Sequence, residues 1–266
     1  MRAAVITSFG APDVLAVREV PTPQPGPGQV LVRVRGSALN RADILQRMGR
    51  YPPPPGYPTD IAGIEFAGEV SALGSGAARW RIGDRVYGIT GGGGHAEFLT
   101  MDERAVARIP DRFSFIEAAA IPEAFFTAYD AMVTQAGLKA GEFVMIHAIG
   151  SGVGLAASQL AAALGARVFG TTRTEDKLER AREFGMHGGV AVRGDLAPLG
   201  DAVREFTGGV GIHVTLDLVG GAYLPASMKV AALLGRIMLI GTIAGAESPL
   251  NHRLMLGKRL MLKGTV

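Results

Sequence analysis

Hydrophobic and polar positions follow two rhythms along this chain, and the change falls near residue 120. Before it, short runs rich in β-branched residues at 3–7, 15–19, 29–37, 64–73, 85–89 and 97–100 are separated by clusters such as Pro21-Thr22-Pro23-Gln24-Pro25-Gly26-Pro27-Gly28. Such runs predict strands joined by turns. In Val30-Leu31-Val32-Arg33-Val34-Arg35 successive side chains point to opposite faces, so the arginines stay wet while a valine face is buried. Beyond the change, helices at 115–121 and 122–136 lead into strand 142–148, helix 152–164, strand 166–171, helix 175–184 and strand 189–192. Helix 198–207, strand 212–218, helix 222–234, strand 236–241 and a last strand at 259–266 complete the series. The expected class is α/β, with a compact β-barrel-like domain over 1–121 and a doubly wound parallel sheet over 122–266.

The segment with the most chemistry is the apolar run Phe143-Val144-Met145-Ile146-His147-Ala148, the turn Gly150-Ser151-Gly152-Val153-Gly154 and the Ala-rich helix that follows. Strand, glycine turn and helix in that order suit a dinucleotide pyrophosphate, because backbone N–H groups approach the anion at a helix N-terminus. The turn alone is a weak signal: Leu155 stands where the strict pattern has its third glycine, and any tight strand-to-helix connection can be Gly-rich. The next strand adds weight. Its end lies about 20 residues on, where NAD-binding chains carry an acid on the ribose hydroxyls. Here the residues are Thr172 and Arg173, with Lys177 shortly after; these offer partners for a 2′-phosphate, and Arg173 and Lys177 read alternatively as solvated charges opening a helix. The missing acid and added cations favour NADP(H) over NAD(H).

Composition narrows the class. At 266 residues, 48% hydrophobic and with a formal charge of +3, the chain reads as a well-packed globule whose basicity does not by itself call for nucleic acid. The N-terminal apolar run is too short for a signal peptide, no apolar stretch approaches the ~18 residues of a membrane span, and the cytoplasm is the expected compartment. Zero cysteines exclude disulfides, thiolate catalysis and any Cys-ligated zinc.

Longer strings carry a more specific signal. Ser37-Ala38-Leu39-Asn40-Arg41-Ala42-Asp43, Gln46-Arg47, Gly49-Arg50-Tyr51-Pro52-Pro53-Pro54, Gly63-Ile64-Glu65-Phe66-Ala67-Gly68, Ala120-Ile121-Pro122-Glu123-Ala124 and Ser151-Gly152-Val153-Gly154 occur in this order. In them the chain resembles the zinc-independent quinone oxidoreductases of the medium-chain dehydrogenase/reductase superfamily, the zeta-crystallin-like group. The resemblance implies a GroES-like barrel domain joined to a Rossmann domain, with NADPH in the cleft between them. It also implies that no catalytic zinc is held: Ile64 replaces the ligand histidine of zinc-containing relatives, and the five histidines are far apart in sequence.

Carried over position by position, the resemblance places Ser151, Gly152, Val153 and Gly154 on the pyrophosphate and Lys177 on the adenosine 2′-phosphate. Thr127 falls beside the nicotinamide, and Val219, Gly241 and Thr242 line the cofactor from the other side. Asn40 and Tyr51 fall at the substrate end as orienting hydrogen-bond donors, Tyr51 also as a proton source; the alternatives are Asn40 as the cap of a helix starting at Arg41 and Tyr51 as an aromatic that anchors the proline turn after it. His95 reads as a turn or surface residue, His147 as a satisfied core histidine and Trp80 as packing. The chain departs from the family pattern at Val192 or Arg193, where a phosphate-contacting tyrosine is expected, and at Leu45, where some members have an aromatic residue.

Quinone reduction is the expected activity. Its rival is reduction of an activated C=C bond in an enal, enone or enoyl thioester. A non-enzymatic NADPH- and RNA-binding role would need a basic stripe with stacking aromatics, which scattered arginines and 6% aromatic content argue against. A homodimer joined through 259–266 or 235–241 as an edge strand is expected from relatives. Relatives also continue for several dozen residues that complete the barrel, so a chain ending at Val266 is expected to be less stable and less active than a longer form.

Overall fold

The computed structural model describes residues 1–265; the part of the predicted last strand that falls on Val266 lies outside the described residues. The chain divides into two compact units, Met1–Glu123 and Ala124–Val266, a division two residues beyond the predicted one.

In the first unit β1 (Arg2–Ile6) pairs antiparallel with β2 (Leu15–Glu19). A five-stranded antiparallel sheet combines β3 (Gln29–Gly36), β4 (Glu65–Leu73), β5 (Arg85–Ile89), β6 (Phe98–Asp102) and β7 (Ala107–Arg108) in the order β6-β3-β4-β5-β7. The alternation in β3 works as its sequence requires. Val30 and Val32 are fully buried against Phe66, Val70, Val86 and Leu99, while Arg33 and Arg35 face solvent. Trp80 packs on this core and donates its indole N–H to the Glu103 carbonyl at 2.7 Å. Two short helices, α1 (Arg41–Arg47) and α2 (Phe115–Ala119), complete the unit.

Helix α3 (Pro122–Tyr129) runs into a π-helical stretch, Asp130–Gln135, so the predicted single helix at 122–136 changes its winding midway. The second unit is a six-stranded parallel sheet of β8 (Phe143–Ile146), β9 (Arg167–Thr172), β10 (Gly188–Ala191), β11 (Ile212–Asp217), β12 (Ala231–Leu239) and β13 (Met261–Gly264). Their order is β10-β9-β8-β11-β12-β13. Helices α4 (Gly152–Ala163), α5 (Glu175–Arg182), α6 (Pro198–Thr207), α7 (Tyr223–Val230) and α8 (His252–Lys258) connect them. Successive β8 side chains feed different cores: Val144 and Ile146 pack with Ala156, Ala157 and Ala161 of α4, and Met145 with Leu199 and Val203 of α6. Helices therefore cover both faces, as the doubly wound class demands. The strand order reverses direction between β8 and β11, and such a switch point opens the crevice in which these sheets bind ligands.

Two expectations need correction. Residues 231–234, predicted as the end of a helix, belong to β12; α7 stops at Val230 and Ala231 turns to extended backbone. Between the pairs Ile212↔Ala231 and Val214↔Arg236 the strand bulges, and Leu234 sits there at φ 61. An apolar run ending in Gly235 looks helical by periodicity, and nothing local announces the bulge. Segment 235–241 is also no edge, because β12 lies between β11 and β13; of the two proposed edges only the β13 segment stands at the rim. Among the described residues no helix is long and apolar enough to cross a membrane.

Leu234 is half-exposed in a left-handed conformation that strains any side chain with a Cβ. Leu234→Gly is expected to raise stability by about 1 kcal/mol despite the added backbone entropy of glycine; urea unfolding that shows a loss would contradict the strain.

Candidate functional site

The phosphate-type end of the site is built where β8 gives way to α4. Ala148 takes φ 52 and Ser151 takes the extended geometry of an N-cap, its Oγ accepting the Gly154 amide at 3.1 Å. The Leu155 amide goes to the Ser151 carbonyl at 2.8 Å. The amides of Gly152 and Val153 then meet no acceptor among the described residues. They stand at the N-terminus of a 12-residue helix, where the dipole favours an anion. Gly154 is required sterically: a Cβ there would lie 2.6 Å from the Ile149 carbonyl oxygen. A Cβ on Gly152 would meet nothing within 4 Å, which leaves the approach open.

Lys177, on the first turn of α5, comes to the same place. Its methylenes run past Gly150, close enough that a Cβ on that glycine would stand 3.3 Å from Lys177 Cδ. The structure thus gathers Ser151, Gly152, Val153, Gly154 and Lys177 at one turn. Thr172 closes β9 as a buried residue whose carbonyl accepts the Val192 amide, and Arg173 beside it is exposed. No carboxylate occupies either position. Thr127 lies half-buried on α3, and Val219, Gly241 and Thr242 follow the ends of β11 and β12.

Beneath this turn lies a buried polar chain that sequence reasoning saw only in part. His147 is fully buried, with Nδ1 2.8 Å from Thr171 Oγ1 and Nε2 2.8 Å from Ser227 Oγ. Ser227 donates its own proton to the Tyr223 carbonyl, so it accepts from Nε2–H, and Nδ1 accepts from Thr171. Burial pushes the His147 pKa down to about 3, which keeps the ring neutral. The ring ties β8, β9 and α7 together and meets Tyr223 edge-on at 4.9 Å. His147 is the satisfied core histidine its position predicted.

In the first unit Asn40 is both cap and partner. It precedes α1 and gives its backbone N–H to Asp43 Oδ2 at 2.7 Å, while its side-chain amide donates to Glu65 Oε1 at 2.6 Å. The other Glu65 oxygen accepts the Glu123 amide at 2.9 Å, and Asp43 Oδ1 accepts the Ile64 amide at 3.1 Å. Of the two expectations for His95 the turn holds and the surface does not: it lies in a turn with its side chain 17% exposed, Nδ1 2.8 Å from Ser37 Oγ and Nε2 3.6 Å from Asp43 Oδ2. Tyr51 is half-buried and forms no hydrogen bond with Asn40. Burial, then the carboxylates of Glu65 and Asp43, push Glu123 up to about 7. Burial also raises Glu65, against the hydrogen bonds from Asn40 and the Glu123 amide.

These groups do not offer a metal cage. Both Glu65 oxygens and both Asp43 oxygens already accept from donors within the protein, His95 Nδ1 donates to Ser37 Oγ, whose own proton goes to the Glu65 carbonyl, and among the described residues no three His, Asp or Glu side chains converge for an ion. What the cluster offers is an amide fixed by Glu65 and a carboxyl, Glu123, that gives up its proton only as pH approaches about 7. Its members come from positions 40, 43, 65, 95 and 123, so no local motif announced it.

Residues 26–111 match the alcohol dehydrogenase GroES-like domain family, and residues 152–266 match the zinc-binding dehydrogenase family. Human quinone oxidoreductase is 32% identical over 99% of this chain and 79% of its own length. A mycocerosic acid synthase-like polyketide synthase of Mycobacterium tuberculosis is 37% identical over 82% of this chain, which is 10% of that protein. Among solved structures, mycobacterial Rv1454c complexed with NADPH superposes with a TM-score of 0.89 at 30% identity, covering 100% of this chain and 82% of that one. Escherichia coli quinone oxidoreductase complexed with NADPH gives 0.88 at 29% identity, covering 100% and 81%. The chain belongs to the medium-chain dehydrogenase/reductase superfamily, and it is an oxidoreductase of that family.

Glu123 binds its proton more tightly when folded, since its pKa rises from 4.5 to about 7. Its favourable contribution is complete below the unfolded value and disappears as pH climbs through about 7. Glu123→Gln, neutral throughout, is expected to be more stable than the parent above pH 7 by up to about 3 kcal/mol and to lose that advantage near pH 4. Urea unfolding at both pH values checks this, and a pH-independent difference would contradict it.

Proposed function

We propose that this chain is an NADPH-dependent, zinc-independent oxidoreductase that passes reducing equivalents to a quinone. The observation that carries the reading is the pair of acceptor-less amides, Gly152 and Val153, with the Lys177 stem lying against the same turn. A dinucleotide pyrophosphate supplies the acceptors those amides lack, and Lys177 and Arg173 supply cations for the extra phosphate of NADPH. Absence of an acid at Thr172–Arg173 supports the phosphorylated nucleotide, as does NADPH in two similar structures. Thr127, Val219, Gly241 and Thr242 would hold the nicotinamide end. When bound, the reduced nicotinamide supplies a hydride.

The residues of the first unit handle the acceptor. Asn40, its amide fixed by Glu65, orients a carbonyl oxygen; Tyr51 offers a hydroxyl, and Glu123 a carboxyl that keeps its proton to about pH 7. One hydride and one proton convert a quinone to its hydroquinone, so a single acid suffices and no metal is needed to polarise so good an acceptor. The engaged carboxylates described above support zinc independence. A cytoplasmic location and a homodimer paired through β13 accord with this reading. RNA binding finds less support: Arg35 is paired with Glu69 at 2.8 Å and Arg47 donates to the Gly10 carbonyl.

A second reading has a specific observation behind it. The polyketide synthase segment is 37% identical to this chain, above the 32% of human quinone oxidoreductase, and the CurK enoyl reductase structure superposes with a TM-score of 0.86 at 27% identity. Reduction of the C=C bond of an enoyl thioester, or of an enone or 2-alkenal, is therefore the alternative. Turnover of NADPH with 9,10-phenanthrenequinone against crotonyl-CoA separates the two.

NADPH is expected to bind at least about tenfold tighter than NADH, and Lys177→Ala to bring the two within about threefold of each other. Calorimetric titrations test this; equal affinity of the parent for both nucleotides would overturn the cofactor assignment.

A further inference from the structure

Asp217 ends β11 and is fully buried. Its Oδ1 accepts two amides, from Val219 at 2.9 Å and Gly220 at 2.8 Å. Its main-chain carbonyl accepts two more, from Ile240 at 2.9 Å and Gly241 at 3.2 Å. One residue therefore anchors the loops that follow β11 and β12. The same loops are laced together further out, where Ala244 donates to the Val219 carbonyl at 2.8 Å and Gly221 to that of Gly245 at 3.0 Å. They cross without slack: a Cβ on Gly241 would lie 2.4 Å from the Leu218 oxygen.

The second carboxyl oxygen, Oδ2, has no partner among the described residues, and burial raises the pKa of the group against the pull of its two amides. A buried carboxyl half-satisfied in this way is an expensive choice for a strand end that an apolar side chain would fill more cheaply. Its neighbours at the strand ends do not share the defect, since His147, just beyond β8, and Thr171 on β9 satisfy each other. What Asp217 supplies is geometry, because its four amide contacts fix Val219 and Gly241 relative to one another.

We propose that Asp217 is a positioning residue for the nicotinamide end of the cofactor, holding Val219 and Gly241 against it, while the turn at Ser151–Gly154 holds the phosphates independently. The proposal rests on the NADPH reading given above. It predicts that the two halves of the nucleotide respond differently when Asp217 is changed.

Adenosine 2′,5′-bisphosphate carries the adenosine phosphates without the nicotinamide, so its binding reports the phosphate end alone. Titration calorimetry of the full chain is expected to show NADPH at least about tenfold weaker in Asp217→Ala, with adenosine 2′,5′-bisphosphate within about twofold of the parent. Asp217→Asn, which keeps an Oδ1 acceptor of lower strength, is expected to weaken NADPH by only about two- to fivefold and to leave the bisphosphate unchanged. This milder variant reads the same contrast if the alanine variant does not fold. Equal changes in both ligands, including none, would overturn the positioning role even with the parent binding NADPH normally. Failure of the parent itself to bind NADPH would instead overturn the reading beneath it, and the proposal with it.

Discussion

The amides of Gly152 and Val153 meet no acceptor among the described residues, and they are the constraint that sets the start of α4 apart from an ordinary capped helix. A helix start can satisfy its own N–H groups through caps, and this one does so for Gly154 alone through the Ser151 hydroxyl. The remainder face open space because Gly152 has no side chain and no neighbour within reach. Gly154 allows α4 to begin directly against the Ile149 carbonyl, so the helix axis points its positive end at the place where the strand order reverses.

Holding that turn still requires rigid support from below, and the sheet provides it with polar groups in an otherwise apolar core. Thr171, His147 and Asp217 lie at the ends of three adjacent strands; Thr171 and His147 tie β9 to α7, and Asp217 holds the loop that follows β11. Neutral His147 is suited to this because its two ring nitrogens bridge β9 and α7 without a buried charge. The first unit uses a different device. There Asp43 and Glu65 engage Asn40, and burial first, then the nearness of these two carboxylates, raises the pKa of Glu123 to about 7.

Much of the scaffold was legible in the sequence because short-range pattern governs it. Strand alternation in β3, the ends of β2 and β5 and the whole of α6 follow from periodicity and turn residues. The glycine turn and Lys177 were readable as types at a spacing, and the folded chain adds that Lys177 lies against Gly150. What escaped was whatever depends on distant partners. The bulge at Leu234 exists only because β12 must stay in register with β11. His95 looked like a loop residue until Ser37 and Asp43, more than fifty positions upstream, were brought to its ring. Glu123 carries no local mark of its raised pKa, since burial and residues 43 and 65 produce it.

The amides of Gly152 and Val153 are proposed to bind the pyrophosphate of NADPH. Backbone NMR on isotopically labelled protein tests it at the atoms concerned. The Gly152 and Val153 amide resonances are expected to move among the most during an NADPH titration, downfield as hydrogen bonds to phosphate oxygens form. Both resonances unmoved at saturating NADPH would contradict it.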